Sequence, residues 1–363
     1  MDNTLQRGLE EILDRHCGPG GDELGAQCVI WKDGEIQAEA YAGHRNGART
    51  LPVLPETLFP VFSTGKTLFG TLALRLVEKR GLPLDMPVGE LWPEFRQGRK
   101  ARVTLRHLLT HTSGMHIMPP VASPEELTDW EGMCGKLAAR EPVWEPGTQT
   151  QYQALSYAWL LGRTLELATG QSLPKLLEAE ILQPAGAWRD VFFGLPQEEE
   201  GRLGEVEPAP DLKACLPPRE TFLDPLYNAM RLRCVRQACL PSFNCLANAR
   251  GLARCGSAIL QGKLISREML RQATELQRPK DEPIPSDDPD AYWSVFGFGY
   301  ILLAPPPWRG RLFGHHGFGG SELSLDQKTG TVFAIVKNRL SCKVNQPMKM
   351  EIHRLAAEIL GSL

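Results

Sequence analysis

The stretch that most constrains this chain runs from Val61 to Lys79. Ser63 opens a strongly apolar run with helical periodicity, and Lys66 stands three residues into it. Residues three apart share a helix face, so the Lys66 amine can lie beside the Ser63 hydroxyl. The first turn of a helix also leaves backbone N–H groups unpaired, and its macrodipole favours negative charge there. A serine so placed has a proton acceptor at hand and donors for an oxyanion, which is what an acyl-transfer nucleophile needs. The competing reading is a plain N-cap, which serine favours before an apolar helix. Partners elsewhere in the chain decide between the two.

Gln27–Lys32 and Glu35–Tyr41 read as strands joined by Asp33-Gly34, a two-residue hairpin signal. They follow an amphipathic helix at the start of the chain and precede the Ser63 helix. Thr104 to Met115 reads as a short helix with a threonine start and Gly114 as its stop. Within it, His107 and His111 have the spacing of metal ligands on a helix. No third ligand or carboxylate accompanies them, and they read as hydrogen-bonded structural residues. Another helix, Ala158 to Ala168, closes at Gly170, and Pro241-Ser242-Phe243-Asn244 leads into a helix from Ala247 to Leu260. Phe296–Leu303 and Thr331–Val336 read as strands flanking the glycine-rich Leu312–Ser321, with a turn at Asp326–Gly330 and a last helix from Pro347 to Leu360. Residues 195–228 and 278–290 lack periodicity and read as long irregular excursions. Strands, many helices, strands and a helix fit a sheet built from both chain ends with a helical insertion.

A formal net charge of -3 gives no electrostatic reason to expect nucleic acid or a membrane surface as partner. No apolar run reaches bilayer-spanning length, and the first residues lack a secretion signal. The nine cysteines are scattered, without zinc or redox spacing, and read as free thiols in a reducing, cytoplasmic setting. No motif implies a metal or an organic cofactor.

Four blocks then occur in one order: Ser63-Thr64-Gly65-Lys66, Leu105 to Gly114, Trp144-x-Pro146-Gly147 with Tyr152, and His315-His316-Gly317. Together they resemble the serine β-lactamase and penicillin-binding-protein superfamily, whose Ser-x-x-Lys signature is a catalytic pattern. Within it the chain is most similar to the class C β-lactamase-like branch, which includes family VIII carboxylesterases and acyltransferases. The likeness spans roughly residues 8–362. It implies an α+β, β-lactamase/transpeptidase-like fold with a mixed antiparallel sheet from both chain ends flanked by helices. Residues 1–80 and 290–363 would form the sheet domain and 81–289 a mainly helical one, with the active site in the cleft between.

Carried over by position, the resemblance makes Ser63 the acylated nucleophile, Lys66 its proton acceptor and Tyr152 a partner base and acid. It places the oxyanion hole at the backbone N–H groups of Ser63 and Phe318, and His315 and Gly317 on a substrate-binding strand edge. Unperturbed Lys and Tyr titrate at about 10, so burial is expected to lower the lysine and a nearby ammonium the tyrosine. Two positions depart from the pattern. Ala154 stands where a Tyr-x-Asn element has asparagine, unless Gln153 or Gln151 reaches into that place, and His315 replaces an anion-binding lysine. Both changes weaken the case for β-lactams and D-amino-acid peptides as substrates and leave acyl transfer intact. The reading is a cytoplasmic serine hydrolase or acyltransferase acting on a small-molecule ester, thioester or amide. A β-lactamase or D-amino-acid peptidase is the second reading, and an inactive binding protein of the same fold the third. Trp144, Tyr292, Trp293 and Phe318 are candidates to line an acyl pocket, and both excursions to flank it.

Overall fold

The computed structural model describes residues 3–215, 226–282, 295–302, 312–343 and 346–361. Ten strands occur among them: β1 (Gly25–Lys32), β2 (Glu35–Gly43), β3 (Phe59–Phe62), β4 (Val191–Phe193), β5 (Glu207–Pro208), β6 (Cys245–Ala247), β7 (Leu312–His316), β8 (Glu322–Asp326), β9 (Thr331–Lys337) and β10 (Arg339–Leu340). Five form one antiparallel sheet in the order β2-β1-β9-β8-β7, so both chain ends contribute to it. Asp33 and Gly34 both take positive φ, 52° and 91°, which matches the hairpin twist between β1 and β2. At the β8–β9 turn the Asp326 carboxylate accepts from the N–H groups of Lys328 and Thr329, at 2.9 and 3.3 Å.

Strands β8 and β9 are buried along their whole length because helices cover both faces. On one face Ala26, Cys28, Ile30, Phe333 and Ile335 meet Leu9 and Leu13 of the helix Asn3–Cys17 and Ile352 and Ala356 of the helix Pro347–Leu360. On the other, Val29, Val332, Ala334 and Leu323 join Leu252 of the helix Ala249–Leu260 in the larger core. Gln27 ties that helix to the sheet, its amide oxygen accepting from Ala249 N–H at 2.9 Å and its NH2 donating to Thr57 at 3.0 Å. The helix Lys66–Arg80 packs against β7 on one side and the helix Tyr157–Thr169 on the other, which sets its first turn where sheet and helical layer meet. A smaller sheet, β3-β6-β4, leads into that turn.

The sequence and the structure part at several points. The chain from Phe296 to Leu302 is a tight turn, with Phe296 bridged to Ile301 and Ile301 to Gly314, instead of the expected strand; Leu303 lies outside the described residues. Its cause is close packing: a Cβ on Gly70 would come 2.6 Å from the Gly299 carbonyl oxygen, so the loop folds down onto the Lys66 helix. The expected helix to Gly114 ends at Leu109, because His111 adopts φ 58°. The 195–228 excursion is partly regular, holding β5, which pairs with β10, and the helix Pro210–Cys215. That pairing sets Cys342 against Asp211, and Cys342 is disulfide-bonded where a free thiol was expected. Cys17, Cys28, Cys134, Cys234, Cys239, Cys245 and Cys255 are free. Tyr292, Trp293 and most of 278–290 lie outside the described residues.

Candidate active site

The nucleophile turn begins with strain. A bulge at Val61 shifts the β3–β6 register, and Phe62, paired with Cys245 beyond it, takes φ 49°, ψ -128°. Such a backbone costs a non-glycine residue on the order of 1–3 kcal/mol and persists only where packing enforces it. Here Phe62 is fully buried, with its ring edge-on to Phe318 at 5.5 Å between centroids. The reversal turns Ser63–Gly65 into a short 3-10 turn that feeds the helix starting at Lys66. The end of β7 closes over this turn. A Cβ on Gly317 would lie 2.0 Å from the Val61 carbonyl oxygen and 2.8 Å from Thr64 Oγ1, so only glycine permits the approach. Thr64 Oγ1 donates to the Ser321 carbonyl at 3.1 Å and locks the two segments together.

Lys66 is 1% exposed, and its Nζ faces three oxygens: Ser63 Oγ at 3.1 Å, the Ala154 carbonyl at 2.8 Å and the Ser242 carbonyl. Among the described residues no carboxylate compensates the charged form, and burial holds its pKa well below the usual lysine value. A neutral amine has two N–H bonds and one lone pair. The two carbonyls can only accept, and Ser63 Oγ is the one of the three neighbours with a proton to give up to the amine. Ser63 Oγ also lies 3.2 Å from the Ser242 carbonyl.

Tyr152 completes the front of the site. Its hydroxyl is 3.3 Å from His315 Nε2, and Lys66 Nζ is 4.9 Å from its ring centroid. Burial raises the phenol pKa, and a hydrogen bond from Ser63 opposes that only in part. The expected lowering by an ammonium is not seen: burial raises the phenol and also disfavours the charged form of Lys66. Tyr152 therefore keeps its proton at neutral pH. His111 braces it from behind: its ring lies 5.2 Å from that of Tyr152, its carbonyl accepts from Gln151 N–H at 3.0 Å and its Nδ1 from Gln153 N–H at 3.3 Å. Glu282 grips the same segment through Thr150 N–H and Oγ1, at 2.9 and 2.6 Å.

Ser63, Lys66, Tyr152 and His315 thus converge, and Gly317 and Phe318 abut the nucleophile turn through Val61 and Phe62. Gln153 does not join them. Its side chain is fully buried, and its amide atoms have no hydrogen-bond partner among the described residues. Ala154, at the asparagine position of the Tyr-x-Asn pattern, offers Lys66 its backbone carbonyl. The second carbonyl, from Ser242, has no side-chain signature in the sequence. Its loop is pinned by Asn244, which accepts from Leu240 N–H at 3.0 Å and donates to the Val235 and Ala238 carbonyls, and by Ser242 Oγ donating to the Leu155 carbonyl at 2.8 Å. An Asn two residues after a Pro-Ser pair was the one available signal. Among the described residues no cluster of three or more His, Cys, Asp or Glu is set to hold a metal ion.

The family model described as Beta-lactamase matches residues 4–357. The chain belongs to the Beta-lactamase family. Among its curated relatives, Esterase/beta-lactamase LipL of Mycobacterium tuberculosis is 27% identical over 89% of this chain and 79% of its own. Esterase EstB of Burkholderia gladioli is 32% identical over 51% of this chain and 52% of its own. Among solved structures, a family VIII carboxylesterase superposes with a TM-score of 0.85 at 24% identity, covering 98% of this chain and 97% of that one. A penicillin-binding protein homologue from Caulobacter crescentus superposes with a TM-score of 0.80 at 26% identity, covering 99% and 98%. The α+β, β-lactamase/transpeptidase-like fold read from the sequence is therefore the fold of this Beta-lactamase family member. Among its described residues no helix is long and apolar enough to cross a membrane.

Proposed function

We propose that the chain is a serine hydrolase or acyltransferase that forms an acyl-enzyme on Ser63 from a small-molecule ester, thioester or amide. The observation that carries this reading is the buried Lys66 amine, which meets two carbonyls and, at 3.1 Å, Ser63 Oγ, the one of its three partners with a proton to give. In the first half-reaction the Ser63 proton passes to Lys66 as Oγ attacks the substrate carbonyl carbon. The negative charge on the carbonyl oxygen is met by the N–H groups of Ser63 and Phe318. Tyr152, still protonated, gives its proton to the leaving oxygen or nitrogen as the bond to it breaks, and takes one back from the Lys66 ammonium. Water or a second acceptor then removes the acyl group by the reverse route. The active site lies between the sheet unit, residues 1–80 and 290–363, and the helical unit, 81–289.

The names of the relatives LipL and EstB favour ester substrates. A β-lactamase or D-peptidase reading is disfavoured because neither Ala154 nor Gln153 presents a side-chain amide beside Lys66. Free buried thiols favour a cytoplasmic setting, and the disulfide-bonded Cys342 stands against it. Intact-protein mass spectrometry after a fluorophosphonate, with p-nitrophenyl esters and a chromogenic cephalosporin as substrates, tests the whole. One adduct mapped to Ser63 with ester turnover is expected. Fast cephalosporin turnover would move the β-lactamase reading forward, and no adduct from any reagent would leave a binding protein.

A further inference from the structure

The sequence assigns His315 to substrate binding, as a weak stand-in for an anion-binding lysine. Its surroundings give both ring nitrogens to the protein. Nδ1 lies 2.6 Å from the His316 carbonyl oxygen, which can only accept, so Nδ1 carries a proton. His315 is 1% exposed, and burial together with the neighbouring Lys66 keeps its pKa well below the ordinary histidine value, so the ring holds one proton at neutral pH. Nε2 is then bare. The group 3.3 Å from it is the Tyr152 hydroxyl, which must donate.

We infer that His315 is a positioning residue for Tyr152: it fixes the direction of the phenol proton, and it is not a clamp for a substrate anion. With the O–H bond aimed at His315, the lone pairs of the Tyr152 oxygen are turned to accept from Ser63. The tyrosine hydroxyl is thereby held in one rotamer before substrate arrives, and it turns from His315 to the leaving group as the substrate bond breaks. Groups facing the imidazole come from three directions: Lys66 at the head of its helix, Tyr152 and His111 from the loops beside it, and His316 on β7.

The neighbouring strand makes the arrangement rigid. His316 is paired with Glu322 in the β7–β8 register. Its Nδ1 lies 3.3 Å from Lys349 Nζ and 3.5 Å from Glu322 Oε2. Glu322 is 2% exposed and also binds Lys349 at 2.7 Å and His353 at 2.9 Å. This buried charge group anchors His316, and hence the carbonyl that dictates the His315 tautomer. A consequence for substrate class follows. A ring with both nitrogens engaged has no N–H to offer a carboxylate, so acyl groups uncharged at this point are preferred.

The inference rests on the proposed acyl-transfer reading, and its test separates the two. The first measurement is independent of activity: 15N spectra of histidine-labelled protein, wild type and Tyr152→Phe. A protonated Nδ1 and a bare Nε2 at His315, with the Nε2 resonance moving in Tyr152→Phe, is expected. A protonated Nε2, or a resonance indifferent to Tyr152→Phe, overturns the inference even in a protein with no esterase activity. The second is a double-mutant cycle with His315→Asn and Tyr152→Phe, on p-nitrophenyl butyrate and on mono-p-nitrophenyl succinate, which carries a carboxylate. His315→Asn should lower kcat about 10- to 100-fold on both esters with KM little changed, and cost little more in the Tyr152→Phe background. His315→Gln, whose amide oxygen can accept from Tyr152, should recover part of the loss. A raised KM confined to the succinate ester, or equal losses in both backgrounds, would show a clamp or a merely structural role. Absence of ester turnover and of a Ser63 adduct in the wild type would sink the enzyme reading alone.

Discussion

Substituting Gly317 by alanine tests the closure of β7 over the nucleophile turn. The new methyl carbon would sit 2.0 Å from the Val61 carbonyl oxygen and 2.8 Å from Thr64 Oγ1, whereas ordinary contact begins at 3.4 Å. The closest atom is backbone, held between the paired Pro60 and Phe62 and the Thr64–Ser321 hydrogen bond, so it has little room to swing away. Either β7 or the Ser63 turn must retreat by roughly 1 Å or more in a close-packed interior. Overpacking of this kind costs about 1–3 kcal/mol of stability. A shift of the Phe318 N–H relative to Ser63 would remove one of the two proposed oxyanion donors, worth about 100- to 1000-fold in kcat. The assay is p-nitrophenyl ester turnover alongside a thermal melt and a Ser63 fluorophosphonate count. The expected result is a modest drop in Tm, retained labelling at a reduced rate, and kcat lower by about two to three orders of magnitude. A Gly317→Ala enzyme with wild-type kcat would refute the placement of the oxyanion hole at Phe318.

Three further outcomes follow from the same geometry. Lys66→Met should lower kcat/KM by about 100- to 10,000-fold and leave the Ala154 and Ser242 carbonyls without their donor, read by ester turnover and a melt. In the wild type, kcat/KM should rise with pH as Lys66 loses its proton, and this limb should fall well below the 10.5 of an ordinary lysine; a limb at 10.5 would show Lys66 resting as an ammonium. Glu322→Gln should destabilise the fold by about 3–5 kcal/mol at pH 7, since Lys349 loses its buried counter-charge. Burial opposes ionisation of Glu322, but Lys349 and His353 outweigh it and hold its pKa well below 4.5. Its folded form binds fewer protons than the unfolded chain, so that stability is present above pH 4.5 and lost as pH falls through the lower folded value. Melts of both proteins at pH 7 and in acid should show a flatter acid limb in Glu322→Gln.

What the sequence made legible was carried by side chains at periodic positions. Ser63, Lys66 and Tyr152 are titratable or nucleophilic groups at recognisable spacings, and Asp33-Gly34 announces its hairpin by turn chemistry. What escaped was carried by the backbone. The carbonyls of Ala154 and Ser242 that accept from Lys66 belong to residues with no distinctive side chain there. The positive φ of Phe62 and of His111 breaks the preference of a bulky residue, and only the surrounding packing makes it affordable. Phe296 to Leu302 alternates like a strand, yet Gly297 and Gly299 let it turn down onto Gly70. Histidine at 315 can be read as a ligand for substrate until its two ring nitrogens are found already occupied.

The pairing of β1 with β9, which joins Ala26 to Lys337, also sets a clock on biosynthesis. At about 5–20 residues per second, some 15–60 s separate the two strands on the ribosome. Throughout that interval the β1–β2 hairpin stands with an open edge, and the Ser63 turn lacks the Gly317 strand that closes over it. Acylating power therefore appears only in the finished chain. Recovery of esterase activity on refolding should trail the recovery of helical signal, since long-range strand pairing must meet its loop-closure entropy before its contacts form.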